Sequence, residues 1–268
     1  MAEASRDLGA AAALSALLEL MRQLRDPRGG CPWDRAQDFA TIAPYTIEEA
    51  YELQDAIEQA DPKAIADELG DLLFQVVFHA RMAEERGWFD FAVVARGIAD
   101  KLQRRHPHVF GDQPLQNAAE LNAQWEQGKR RERAARGQHG VLSGVPLALP
   151  ALIRATKLGK RAASVGFDWP DAHGARAKLD EELAEFDASV RAANTVAMAD
   201  ELGDVLLSIA SLARLHGLDA EQALRSANAK FQRRFETMER LLAERDMSYQ
   251  SLTAGQWDEL WNQAKASE

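Results

Sequence analysis

The chain has 268 residues and a mass of 29.6 kDa; 46% of its residues are hydrophobic and 28% are charged. This composition is typical of a globular protein and excludes a disordered, collagen-like or fibrous coiled-coil chain. The single cysteine, Cys31, excludes a disulfide scaffold and favours a reducing compartment. The net charge of -10 argues against a broad nucleic-acid surface, and no apolar run approaches the ~20 residues of a membrane span. We therefore expect a cytoplasmic protein that binds neither a membrane nor a nucleic-acid polymer.

Helical signals recur along the first half, and no segment shows the strict alternation of a half-buried strand. Thr46 followed by Glu49 predicts a capping box at a helix start. Asp61 followed by proline predicts a second start. The apolar stripe after it predicts a helix that ends near Gly87, and Asp90 is expected to cap the next helix.

The helical pattern is interrupted once and then resumes. Asn117 followed by Glu120 predicts one more helix start. Residues 137–149 contain glycine and proline, show no periodicity and therefore predict a linker. Beyond it, helices are predicted over about 150–164, 172–189, 195–216, 219–245 and 253–267. The sequence thus predicts an all-α fold.

The second half repeats the acidic pattern of the first. In each half a Glu-Glu-x-x-Glu motif is followed, after fifteen residues, by Glu-x-x-Asp, and each acid recurs 133 positions later. The pentapeptide that begins at Asp67 recurs letter for letter from Asp200. A Lys-x-Gln-Arg-Arg motif and a Trp-x-x-x-Lys motif follow in both halves, in the same order. We infer that one helical unit has been duplicated.

The spacing of the acids is suited to a metal site. Residues three or four apart share a helix face, so Glu182 and Glu185 point together, as do Glu201 and Asp204 on the next helix. The fifteen-residue gap fits the end of one helix, a turn and the start of an antiparallel neighbour. Converging carboxylates repel one another unless a cation lies between them. An all-oxygen set suits Mg²⁺, Mn²⁺ or Ca²⁺ rather than zinc.

The downstream motifs supply the chemistry that a phosphate ligand needs. Lys230 and Arg234 lie one helical turn apart, and Arg233 is adjacent. Arginine binds phosphate through paired hydrogen bonds, while Trp261 could stack on a base, with Lys265 one turn later.

Each motif taken alone has an ordinary structural explanation. A single Glu-x-x-Glu is usually a solvated helix face, Lys-x-Gln-Arg-Arg is usually surface charge, and Trp-x-x-x-Lys is usually a buried indole beside an extended lysine. Only their joint repetition favours a functional site. A di-iron bundle would need Glu-x-x-His, which none of the six histidines forms, and no P-loop motif is present. A nucleotide sensor or a dimerisation module remains an alternative for the first half.

With these residues identified, the chain resembles full-length MazG-type nucleoside triphosphate pyrophosphohydrolases. Besides the acids, the resemblance rests on Cys31-Pro-Trp-Asp34, Ala43-Pro-Tyr-Thr46, Arg105-His-Pro-His-Val-Phe110 and Val165-Gly-Phe-Asp168. It implies two tandem all-α MazG-like domains, residues 1–136 and 150–268, joined by the linker 137–149, in a homodimer. It also implies Mg²⁺-dependent hydrolysis of nucleoside triphosphates to monophosphate and pyrophosphate with broad base tolerance. The alternative is a regulatory first half and a narrower substrate.

The resemblance assigns roles to individual residues. The metal ligands would be Glu182, Glu185, Glu201 and Asp204. Glu181 is the candidate to orient or deprotonate the attacking water. The nucleotide and phosphate ligands would be Lys178, Lys230, Arg233, Arg234, Trp261 and Lys265. The first-half counterparts, expected to be less active, are Glu49, Glu52, Glu68, Asp71, Lys101, Arg105, Trp125 and Lys129.

Overall fold

A computed structural model describes residues 2–111, 128, 131–132, 137 and 140–268, and in these parts of the chain all regular structure is helical. This confirms the predicted all-α class. The chain divides into two compact units, Met1–Gly128 and Lys129–Glu268. The division falls just before the segment 137–149, whose role as a linker stays a prediction. None of the helices in the described ranges combines the length and apolar character needed to cross a bilayer.

The first unit is built on a hairpin of two long helices. Its helices are α1 Ala2–Leu24, α2 Pro32–Ala36, α3 Phe39–Gln59, α4 Pro62–Glu85, α5 Phe91–Arg105 and α6 Pro107–Phe110. The α3 and α4 helices pack along each other, and α1 and α5 pack against α4. The core consists of Met21, Ile42, Val77, Phe78 and Met82. Burial of these large side chains fixes α1, α3 and α4 as one block.

Most of the predicted helix ends in this unit are confirmed. The Asp61 side chain accepts a hydrogen bond from the Lys63 amide at 2.9 Å, and the Asp90 side chain accepts one from the Val93 amide at 2.8 Å. Gly87, with φ of 69°, follows the end of α4, where a left-handed residue closes a helix at little cost. The start predicted near Asn117 lies outside the described residues.

The predicted capping box at Thr46 is wrong. The α3 helix begins about two turns earlier, because Asp38 and Thr41 form the capping box instead. The Asp38 side chain accepts hydrogen bonds from the amides of Ala40 and Thr41 at 2.8 and 3.0 Å. Thr46 therefore lies inside the helix, and its hydroxyl is 3.0 Å from the His79 ring.

The second unit contains an equivalent hairpin. Its helices are α7 Ala151–Ala163, α8 Ala172–Arg191, α9 Thr195–Leu215, α10 Ala220–Glu244 and α11 Ala254–Ala266. All five agree with the predicted ranges within a few residues. The α8 and α9 helices pack along each other like α3 and α4, α9 also packs against α7, and α10 packs against α11. The fold thus confirms that the acid-bearing hairpin occurs twice.

Candidate metal and nucleotide site

Three acids of the α8–α9 hairpin converge. Glu182 lies in the middle of α8 and is only 5% exposed, while Glu201 and Asp204 lie one turn apart on α9. One carboxylate oxygen from each of the three lies within 4.8 Å of the others. The two helices therefore bring together residues that are about twenty positions apart in the chain, as the spacing predicted.

Glu185 lies beside this cluster rather than within it. It is not among the acids whose oxygens meet within 4.8 Å, yet its charge acts on Glu201. Desolvation, followed by repulsion from Glu185 and Glu182, raises the pKa of the Glu201 carboxyl. The neighbouring carboxylates therefore repel one another, and a bound cation would remove this repulsion.

The cluster fits a hard divalent cation. Its donors are all carboxylate oxygens, which suit Mg²⁺ or Mn²⁺ better than zinc, and their separation allows one ion to contact all three. Repulsion among the three carboxylates is relieved when a cation binds between them. The residues present therefore fit the metal that the sequence implies.

Lys178 already occupies part of the cluster's surface. Its ammonium lies 2.8 Å from a Glu182 oxygen and 2.8 Å from a Glu181 oxygen, one turn further along α8. Hydrogen bonds to Glu181 and Glu182 raise the pKa of Lys178, so it stays charged. Lys178 is placed to neutralise the buried Glu182 carboxylate or to contact an anion that approaches it.

The predicted nucleotide residues gather where α10 packs on α11. The Arg234 guanidinium carbon lies 5.6 Å from the centre of the Trp261 ring, and Phe231 packs on the same indole with ring centroids 5.5 Å apart. Arg234 donates from Nε and Nη2 to a carboxylate oxygen of Glu268, at 2.9 and 2.7 Å. Arg234 and Trp261 are thus in cation–π contact in the structure.

The other three cationic residues of this set are exposed, namely Lys230, Arg233 and Lys265. Arg233 reaches to within 3.8 Å of Glu268. Among the described residues, no hydrogen bond or ion pair links this basic set to the acids of α8 and α9. The acidic cluster and the basic set are therefore two separate groups in this chain.

The first unit carries a matching acidic cluster on α3 and α4. Oxygens of Glu49, Glu68 and Asp71 lie within 4.8 Å of one another, and Glu52 stands beside Glu68, whose pKa is raised by desolvation and then by that neighbour. Lys101 and Arg105 lie near the end of α5. Trp125 and Lys129 lie outside the described residues.

The sequence analysis did not identify one polar residue that lies at this cluster. Gln75 is 5% exposed, and its Nε2 donates to a Glu49 oxygen at 3.3 Å. It follows Asp71 by one helical turn and therefore shares its face. The four-residue spacing from Asp71 could have placed Gln75 on the face of the acids. A glutamine is uncharged, however, and was therefore not singled out in an acidic segment.

Comparison with known proteins agrees with this geometry. The chain matches the MazG nucleotide pyrophosphohydrolase domain over residues 37–110 and 172–238, each of which contains one acidic cluster. It is 48% identical over 254 residues to the nucleoside triphosphate pyrophosphohydrolase of Escherichia coli strain K12, covering 94% of this chain and 97% of that protein. It is 41% identical to the nucleoside triphosphate pyrophosphohydrolase/pyrophosphatase MazG of Thermotoga maritima, covering 94% and 95% respectively. The chain therefore belongs to the MazG nucleotide pyrophosphohydrolase family.

Proposed function

We propose that this chain is a cytoplasmic enzyme that hydrolyses nucleoside triphosphates, with broad base tolerance, between the α and β phosphates. The products are nucleoside monophosphate and pyrophosphate. The observation that carries the proposal is the convergence of Glu182, Glu201 and Asp204 within 4.8 Å, in a family whose relatives are named for this activity. The catalytic set belongs to the second domain, residues 150–268.

The carboxylates would hold Mg²⁺, or Mn²⁺ in its place, with Glu185 as the fourth ligand after a change of rotamer. A cation bound there supplies charge neutralisation for the triphosphate and lowers the pKa of a coordinated water. The protein's own part is to keep three negative side chains together on two packed helices. That arrangement costs repulsion in the absence of a cation, which favours tight binding when one is present.

The cationic side chains bind the phosphates. Lys178, on the rim of the cluster, is placed to exchange its contact with Glu182 for a phosphate oxygen while it keeps its contact with Glu181. Arg234, Lys230, Arg233 and Lys265 would neutralise the charge that develops on the departing pyrophosphate. Trp261, already packed against Arg234, would stack on the base, and stacking accepts any base.

The chemical step is an attack of water on the α phosphorus. The bond from the water oxygen to phosphorus forms, and the bond from phosphorus to the bridging oxygen breaks, with its electron pair leaving on pyrophosphate. The proton of the water passes to a carboxylate that holds no metal, a role that we assign to Glu181, next to Glu182 in α8. Lys178, 2.8 Å from Glu181, fixes the position of that carboxylate.

We further propose that the chain forms a homodimer through its acid-bearing hairpins. Leu202, Leu206 and Ile209 form one exposed apolar row on α9, and the equivalent row on α4 is exposed as well: Leu69, Leu73 and Val76. Apolar rows of this kind mark an association surface. Light scattering would give the mass in solution, and a monomeric wild type would contradict this assembly.

The reaction is tested with purified protein, a panel of NTPs and dNTPs, Mg²⁺ and water enriched in ¹⁸O. We expect pyrophosphate and a nucleoside monophosphate that carries the label, because the water oxygen joins the α phosphorus. Glu201→Gln is the matched variant, since it keeps the side-chain shape and removes the charge. Release of orthophosphate, or label in the pyrophosphate, would refute attack at the α phosphorus.

A further inference from the structure

Aromatic rings stack at the end of the α3–α4 hairpin that lies opposite its turn. Phe39, the first residue of α3, lies within 10° of parallel to the His79 ring and to the Trp88 indole, with ring centroids 5.6 and 5.4 Å apart. The Arg86 guanidinium carbon lies 4.8 Å from the centre of the Phe39 ring and 5.0 Å from that of Trp88. We call these four residues the aromatic platform. His79 follows Asp71 by eight residues, about 12 Å along the helix axis, so the platform lies outside the acidic cluster.

Packing alone accounts for only two members of the platform. Phe39 and His79 are partly buried, and a His79 ring nitrogen lies 3.0 Å from the Thr46 hydroxyl. Trp88, by contrast, is 61% exposed. Among the described residues, no hydrogen bond or ion pair engages the Arg86 guanidinium. A guanidinium that stacks on aromatic rings keeps its N–H edge available to an anion, so an exposed ring and available donors lie side by side.

The second unit has the same local backbone without the platform. In both units a glycine with positive φ follows the acid-bearing helix. The next amide donates to a carbonyl five residues earlier, at 3.0 Å for Trp88 and 2.8 Å for Leu218, which are therefore equivalent. The second unit that we propose to be catalytic thus does without the aromatic platform, which indicates a separate role for it. The residues equivalent to the four platform members are Ala172, Leu212, His216 and Leu218.

The charges at the platform limit the kind of ligand that it can bind. Desolvation lowers the pKa of His79, so at neutral pH the positive charge of the platform comes from Arg86. Hydrogen bonds from the Thr41 and Ala40 amides hold the pKa of Asp38 below its ordinary value, and the charge of Arg86 adds to this effect. One cation beside an ionised carboxylate suits a ligand with a single phosphate, because Asp38 would repel the further charges of a triphosphate.

We propose that the aromatic platform binds a nucleoside monophosphate, with its base stacked on the exposed face of Trp88 and its phosphate hydrogen-bonded to Arg86. Stacking on an aromatic side chain accepts any base, and arginine binds phosphate through paired hydrogen bonds. The choice of a nucleotide among ring-bearing phosphate monoesters rests on the proposed function, whose product is a nucleoside monophosphate. The recognition of one ring and one phosphate does not rest on it.

The test is isothermal titration calorimetry of the full chain with AMP, in EDTA so that no metal-dependent site contributes. We expect AMP to bind at least about tenfold more tightly than adenosine, which lacks the phosphate, or inorganic phosphate, which lacks the ring. Trp88→Leu, which copies the second unit, and Arg86→Gln should each weaken AMP binding by about tenfold or more. The matched controls Trp33→Leu and Arg240→Gln change an exposed tryptophan and an exposed arginine elsewhere and should leave it unchanged. Equal affinities for AMP and adenosine, or wild-type affinity in both platform variants, would overturn the assignment.

Photolabelling with 8-azido-AMP locates the bound nucleotide. We expect label in the peptide that contains Trp88, and label confined to the second unit would overturn the proposal. Far-UV circular dichroism checks that each variant is folded, and Arg86→Gln provides the test if Trp88→Leu is not. A chain that releases pyrophosphate but binds no AMP at the platform refutes this inference alone. A chain that binds AMP through Trp88 and Arg86 but releases no pyrophosphate refutes the proposed function alone.

Discussion

Replacement of Asp168 by alanine should destabilise the hairpin that carries the second cluster. Asp168 lies just before α8, and Arg214 lies in the last turn of α9. Two hydrogen bonds, from Nη1 at 3.0 Å and Nη2 at 2.5 Å, join the guanidinium to the Asp168 carboxylate. This pair therefore closes the end of the hairpin opposite the turn at Ala193.

The expected loss follows from burial and geometry. The side chains of Arg214 and Asp168 are only 10% and 23% exposed, and a hydrogen bond to a charged group contributes about 1.5–3 kcal/mol. Because removal of one partner leaves the other charge poorly solvated, Asp168→Ala should lower the free energy of unfolding by about 2–3 kcal/mol. Asp180→Ala is the matched control: it breaks the exposed pair with Arg176, one turn away on α8, and should change stability by at most about 0.5 kcal/mol.

The measurement is urea unfolding, with hydrogen exchange of α8 and α9 to locate the effect. The pH dependence gives an independent check, because hydrogen bonds from Arg214 hold the pKa of Asp168 below its ordinary value. The contribution of the Asp168–Arg214 pair to the free energy of unfolding is complete above the unfolded-state pKa of aspartate, about 3.9. It is lost as the pH falls through the lower pKa of Asp168 in the native state. Equal losses of unfolding free energy in Asp168→Ala and Asp180→Ala would refute the reasoning. So would a stability difference between wild type and Asp168→Ala that persists at low pH.

Two further predictions concern turnover. Glu201→Gln should lower the rate of pyrophosphate release by about a hundredfold or more. The loss should be far larger than in Glu68→Gln, because only the second cluster has Lys178 beside it. Equal losses of activity in the two variants would contradict a catalytic second domain. Glu268→Gln should lower KM for the triphosphate by about two- to fivefold, since Glu268 accepts the hydrogen bonds of the Arg234 guanidinium, which we propose binds the phosphates. Its control is Glu244→Gln, which removes an exposed ion pair with Arg240 on α10 and should leave KM unchanged. An unchanged or higher KM in Glu268→Gln would contradict competition between Glu268 and the phosphates for Arg234.

The sequence by itself determined the local elements and their repetition. Asp61, Asp90 and Gly87 set helix ends through contacts within a few residues, so their positions could be read directly. The faces of the acids followed from the helical period. The start of α3 was misplaced because Asp38 and Thr41 form a stronger cap than Thr46 and Glu49, and both patterns are present in the sequence.

Only the tertiary structure decided which carboxylates meet and what neutralises them. Glu182, Glu201 and Asp204 converge while Glu185 stands aside, because the register between α8 and α9 depends on packing and on the Asp168–Arg214 pair rather than on spacing within either helix. The same holds for the apolar rows of α4 and α9, which periodicity alone assigns to a core but which lie exposed. Contacts within one helical turn are encoded locally, whereas contacts between helices are fixed by the whole core.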